Sequence, residues 1–361
     1  MDNKITMDKI WWEKVTNAVQ FIKKIVQSVR DEKHLALELP NNIPWYDTMR
    51  NFAEEYIGDE SSKRNLVFLK DSGEEPGKCV FEAFCNREKQ SEYRPAVGYA
   101  SFLAKCDDIV LNDRIVWVFD LAKENYSAWI EFVSAYAAAC KKERRAGGIF
   151  ILELREQMAL SAKKGVHMLS FQKEIGHYDS IVFNMLAASS IKKSAISKEY
   201  LVELVSNIAG QDMELAAQCI HKYREFLKEP YAILQRIAEE GCRSNGEAFE
   251  NQFREENVKK QIWKAQIKII FPLIEEFRGH FVDKYKEQIE RQLPIPYAFG
   301  EEFTEADEVE VGTLYFMACN EKLHISSEDY HKLKMFREAR NHLAHLCILS
   351  EEKMEAIFSV F

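Results

Sequence analysis

Nine residues near the end of the chain, "REARNHLAH" from Arg337 to His345, hold two arginines, an asparagine and two histidines inside what otherwise reads as an amphipathic helix. A helix that only has to pack can fill its polar positions with Glu, Lys and Gln, which form helices well and bring no special chemistry. At 100° per residue, Arg337, Asn341 and His345 share one stripe with Arg340 next to it, while Leu333, Phe336, Leu343 and Leu346 supply apolar contact beside it. Such a set can grip a phosphodiester: Arg neutralises phosphate in bidentate fashion, Asn orients by hydrogen bonds, and His moves a proton to or from a ribose hydroxyl near neutral pH.

Other residues bear on that stripe. In "IEEFR", Glu275 and Arg278 stand at i, i+3, suited to an intrahelical ion pair or to orienting His345 from behind. "GEEFTEADEVE" places six carboxylates between Glu301 and Glu310, which reads as a solvated loop or as a shield over the site. His342 reads as a supporting residue or as an exposed helix position. Trp11, Trp12 and the "PWY" of Pro44 to Tyr46 read as core or interface contacts rather than a base-stacking platform.

The elements that must position these residues fall into two styles. From "HLALELP" onward, strand-like runs ("NLVFL", "RIVWVFDL", "GIFILEL") alternate with helical stretches, which predicts an α/β domain with a mostly parallel sheet covered on both faces over 1–190. The β signals then stop. Residues 191–255 read as short helices and a linker, "EEGCRSNGEAFENQ", with Gly210 as a C-cap and Asp212 as the next N-cap. Residues 256–361 read as a helical bundle, so the fold class is α/β plus all-α. With 47% hydrophobic residues in 361, each part can bury a core. Eight scattered cysteines without a C-x-x-C pair, a charged start and no long apolar run predict a cytoplasmic protein with no membrane partner, no metal and no cofactor. The formal charge of −9 argues against nucleic-acid binding through bulk electrostatics, so any such contact must be local.

"RIVWVFD" ends on Asp120, as a Walker B carboxylate ends a strand at the carboxyl edge of a parallel sheet, and Asp120 is the candidate nucleotide-binding residue. No phosphate-binding loop is intact. The nearest, "GEEPGKC" from Gly73 to Cys79, is one residue short, carries two carboxylates that repel phosphate, and has Cys where a hydroxyl would meet magnesium. By layout the stretch from about 30 to 240 is similar to AAA+ or STAND-type P-loop ATPases, with "LALEL" as first strand, "VWVFD" as Walker B strand, "GIFILEL" as sensor strand and the helices from "YLVELV" as lid. The resemblance implies a degenerate ATPase fold without hydrolysis.

"RNHLAH", Arg340 to His345, resembles the R-x4-6-H motif of HEPN domains, on a late helix of a helical bundle. The resemblance implies a metal-independent endoribonuclease that leaves a cyclic phosphate, with its site composed where two protomers of a homodimer meet. It gives Arg340 the phosphate, His345 the proton and Asn341 the geometry; Arg337 and His342 fall outside the motif and are candidate supports. Proteins pairing such domains usually belong to prokaryotic antiviral defence or toxin systems, with RNA as target. Two readings follow: a ribonuclease effector governed by a sensor domain, or a non-enzymatic subunit docking on a partner ATPase or nuclease of a defence operon.

Overall fold

Two strands with long apolar runs, 115–119 in β3 (Arg114–Phe119) and 149–152 in β4 (Ile149–Arg155), lie inside a five-stranded sheet, because a strand covered on both faces can be apolar at successive positions. The computed structural model describes residues 6–60, 64–106, 110–155, 163–250, 252–296 and 300–361. The chain divides into two units, Met1–Phe183 and Asn184–Phe361.

In the first unit the strand order is β2-β3-β4-β1-β5, where β1 is His34–Leu39, β2 is Asn65–Lys70 and β5 is Val166–Ser170. Every pairing is parallel, with Leu37 opposite Glu153 and Trp117 opposite Ile151. The helices α1 (Thr16–Arg30) and α2 (Tyr46–Glu60) pack against β1 and β2. On the other face α3 (Pro76–Phe84), α4 (Tyr99–Lys105) and α5 (Tyr126–Glu143) bury Val80, Leu103 and Trp129 against Val116, Phe150 and Leu152. Strand β5 has no clear sequence signal because "VHMLS" is short and its apolar run is broken by the exposed His167.

Alternation along the strands brings one carboxylate into this interior. Glu153 is 1% exposed and accepts hydrogen bonds from the Tyr46 hydroxyl at 2.5 Å and the Trp117 indole at 2.6 Å. The Arg155 guanidinium lies 3.4 Å from its other oxygen and over the Tyr46 ring. Arg50 lies over the rings of Tyr46, Phe68 and Phe119. Burial pushes the Glu153 carboxyl above the ordinary glutamate value, against these donors and charges.

The second unit is helical around α9 (Glu255–Glu290), a 36-residue helix that contains Pro272 and kinks at Tyr285. Helix α6 (Ala195–Ala209) packs on α9, and 191–255 falls in the same unit as the later helices. Gly210 ends α6 at φ 58°, and Asp212 caps α7 (Met213–His221) by accepting from the Leu215 N–H, both as the sequence predicts. The expected linker, which follows α8 (Pro230–Glu240), is instead a docked turn. Arg243 holds Asp212 in a bidentate pair at 3.0 and 2.5 Å, and the Ser244 N–H donates to the buried Glu214 carboxylate at 2.9 Å. Beyond α9 come α10 (Val311–Cys319), α11 (Ser327–Ala344) and α12 (Glu351–Phe358).

Because the folded Glu153 binds its proton more tightly than the unfolded one, the stability it adds is complete below about 4.5 and is lost as pH rises through its folded value. The stability difference between Glu153→Gln and wild type, measured by denaturant unfolding across pH, is expected to shift in favour of the variant as pH rises above that point. Parallel curves would exclude this account.

Candidate functional site

Helix α11 carries the polar stripe, and its apolar positions decide how the stripe is presented. Leu333, Phe336, Ala339 and Leu343 are buried, with Phe336 stacked on Phe277 of α9 at 4.2 Å between ring centroids. The start of α11 is held by Asp329. Its amide donates to the Ser326 hydroxyl, and its carboxylate accepts from Lys284 at 2.7 Å, Tyr285 at 2.5 Å and Ser326 at 2.6 Å. Burial opposes the charge on Asp329, but these donors hold its carboxyl down at about 2.

The end of α11 is fixed as firmly. The Trp263 indole donates to the Leu343 carbonyl at 2.8 Å, and the Cys347 N–H closes on the His342 carbonyl at 2.9 Å. The Gln266 side chain, 1% exposed, donates to the Leu349 carbonyl at 2.8 Å and accepts from its N–H at 2.7 Å, like a neighbouring strand. Leu346 turns the chain in the left-handed region at φ 60° and leaves its side chain 71% exposed. Gln266 and Ser197 also line a mainly apolar cavity of about 260 Å³ with Tyr200, Met354 and Phe358. His345 thus sits exposed on a rigid mount at the helix end.

The expected stripe of Arg337, Asn341 and His345 is present: all three lie on α11 or its C-cap, within about 80° of one another by helical spacing. Arg337 is half-buried, its guanidinium 4.6 Å from the centre of the Tyr315 ring. Tyr315 is itself stacked on Tyr330, with the two hydroxyls 3.2 Å apart. Asn341 is half-buried and His342 exposed.

Arg340 lies beside the stripe, about 60° from Arg337 by helical spacing. Five residues carry 500° of rotation, so Arg340 points about 140° away from His345 around the helix. Its guanidinium lies 3.5 Å from the Glu310 carboxylate and lines a cavity of about 280 Å³ with Glu275, Arg278, Asp307 and Glu308. Arg278 pairs with Glu275 at 2.7 Å and donates to the Asp307 carbonyl at 2.7 Å. Glu275 and Arg278 therefore form the ion pair and stand with Arg340; they are not among the partners of His345. The acidic segment is also more than a solvated loop. Glu308 accepts from the N–H groups of Thr304 and Glu305 and so folds it into a short 3₁₀ turn, and Glu310 ends it against Arg340.

In the first unit Asp120 follows β3 at its carboxyl edge, as read from the sequence. It is 59% exposed, held at φ 55° and 3.2 Å from the Lys70 ammonium. Gly77 and Lys78 lie in the first turn of α3, which starts at Pro76, so this stretch is helix and not a glycine-rich loop wrapped round an anion. Lys78 is paired with Glu74 at 2.7 Å, and a Cβ on Gly77 would stand 2.5 Å from that of Tyr99. The segment after β1 brings Tyr46 down onto Glu153, and the Pro44 carbonyl accepts from the Trp12 indole at 3.1 Å. Among the described residues no group of three His, Cys, Asp or Glu could hold a metal ion, and no helix is long and apolar enough to cross a membrane.

Sequence reading missed Tyr315, Tyr330, Trp263 and Gln266. A polar Gln266 three residues after Trp263 on an apolar helix face is the one local signal for the clamp; the Tyr315 contact is purely tertiary. No family model matches the chain, and a search of curated proteins finds no match to it.

Since the folded Asp329 carboxyl is depressed, its contribution is present above the ordinary value of 3.8 and is lost as pH falls through about 2. Asp329→Asn is expected to unfold at lower denaturant than wild type near neutral pH, with the gap narrowing as pH drops across that window. A gap independent of pH would show that the carboxylate's charge does not anchor α11.

Proposed function

We propose that the second unit is a HEPN-like, metal-independent endoribonuclease and that the first is a P-loop-like domain that senses a ligand or partner without hydrolysing ATP. The observation that carries the reading is the exposed His345 imidazole, fixed at the end of α11 in line with Asn341 and Arg337. In this reaction His345 takes the proton of a ribose 2′-hydroxyl, the oxygen attacks the adjacent phosphorus, the P–O5′ bond breaks, and a protonated group gives a proton to the leaving 5′ oxygen. A cyclic phosphate remains. Developing charge on the phosphate needs a cation beside His345. Arg340 faces away from His345 in its own chain, so the dimer that the resemblance implies supplies the arginine from a second copy. The effector belongs, on this reading, to a prokaryotic defence or toxin system. The all-parallel sheet, with β1 and β3 on either side of β4 and Asp120 at its edge, supports the P-loop-like half of the proposal.

One observation favours the non-enzymatic alternative. Arg340 is already paired with Glu310, and Arg278 with Glu275, as groups that only hold the bundle together would be.

Purified protein incubated in EDTA with labelled single-stranded and hairpin RNA decides between them. Fragments with cyclic phosphate ends from wild type, reduced at least about a hundredfold in His345→Ala, are the expected result. Equal cleavage by both proteins, or no cleavage by a folded dimer, favours the interaction subunit.

A further inference from the structure

The arginines on α11 differ in what they are free to do. Arg340 is engaged by Glu310. Arg337 lies over the Tyr315 ring, which is held in turn by Tyr330, and among the described residues its guanidinium has no carboxylate or carbonyl partner. A stacked guanidinium keeps its N–H edge in a fixed plane, which is the arrangement that suits a phosphate. The neighbouring charges on this face cancel: Lys334 stands 4.0 Å from Glu338, and Lys284 pairs with Asp329 at 2.7 Å. Arg337 remains as the uncompensated cation of the stripe.

Distance sets its role. Arg337 and His345 are eight residues apart, about 12 Å of helix rise, and the Arg337 side chain leans toward the helix start, where Tyr315 meets it. One phosphate cannot touch both groups. We infer that Arg337, backed by Tyr315, is a binding site for a flanking phosphate of a single-stranded RNA that runs along α11, with Asn341 midway and His345 at the bond to be cut. The inference rests on the ribonuclease reading and adds the path of the strand. Arg337 is then a positioning residue: it fixes which phosphodiester stands at His345.

The test uses the full chain and an uncleavable, fully 2′-O-methylated oligonucleotide of about ten nucleotides, its binding followed by fluorescence anisotropy over a salt series. Arg337→Ala is expected to weaken binding about tenfold, the loss of one charge-assisted contact, and to lower the slope of log affinity against log salt by about 0.7. Tyr315→Leu keeps the apolar contact and removes the ring; it should weaken binding several-fold through Arg337. Arg291→Ala, an exposed arginine at the end of α9, controls for lost charge and should change binding less than about twofold. Unchanged binding in Arg337→Ala, or an equal loss in Arg291→Ala, overturns the inference. Cleavage of the all-ribose strand separates the two readings. Loss of cleavage in His345→Ala with normal binding in Arg337→Ala removes the flanking site alone. Loss of binding in Arg337→Ala from a protein that cuts nothing keeps the site and removes the nuclease. A wild-type protein that binds no oligonucleotide removes both.

Discussion

The seam between α9 and α11 governs what the second unit can present to solvent. Phe336 on Phe277, Trp263 on the last turn and Gln266 on the chain beyond fix both the rotation and the end point of α11. Once that rotation is set, 100° per residue does the rest: Arg337, Asn341 and His345 face one way and Arg340 another. A clamp built from a buried amide is costly to disturb, because losing Gln266 leaves a buried N–H and a buried carbonyl of Leu349 unpaired. The precision of His345 thus derives from residues about eighty positions earlier in the chain.

The two units solve the same problem, polar groups inside a packed protein, differently. In the first, Glu153 sits under the sheet's covering helix with Tyr46, Trp117 and Arg155 around it, and Arg50 is walled by three rings. Glu153 and Arg155 lie in the carboxyl half of β4, and Phe119 ends β3. In the second, the polar groups of α11 stay at the surface and their apolar neighbours do the packing. One unit has its chemistry enclosed and the other has it displayed.

Much of the fold was legible because it is local. The apolar runs of β1, β3 and β4, the Gly210 stop and the Asp212 cap are each a few consecutive residues whose patterns fix their state. The edge strand β5 was not, since His167 breaks its short apolar run. The stripe on α11 followed from periodicity. The same periodicity, applied to Arg340 and His345 as a pair, already separates them by about 140°. What no local pattern could give is pairing across the chain: Glu310 on Arg340, Tyr315 under Arg337, and Arg243 reaching back to Asp212 to turn a glycine-containing linker into a docked turn.

Gly77 carries a consequence for how this protein can be re-engineered. Its Cα lies against Tyr99, so close that any side chain there collides, and the helix already begins one residue before it. Any replacement of Gly77 must displace Tyr99 at the start of α4, so the first turns of α3 and α4 can be redesigned only together.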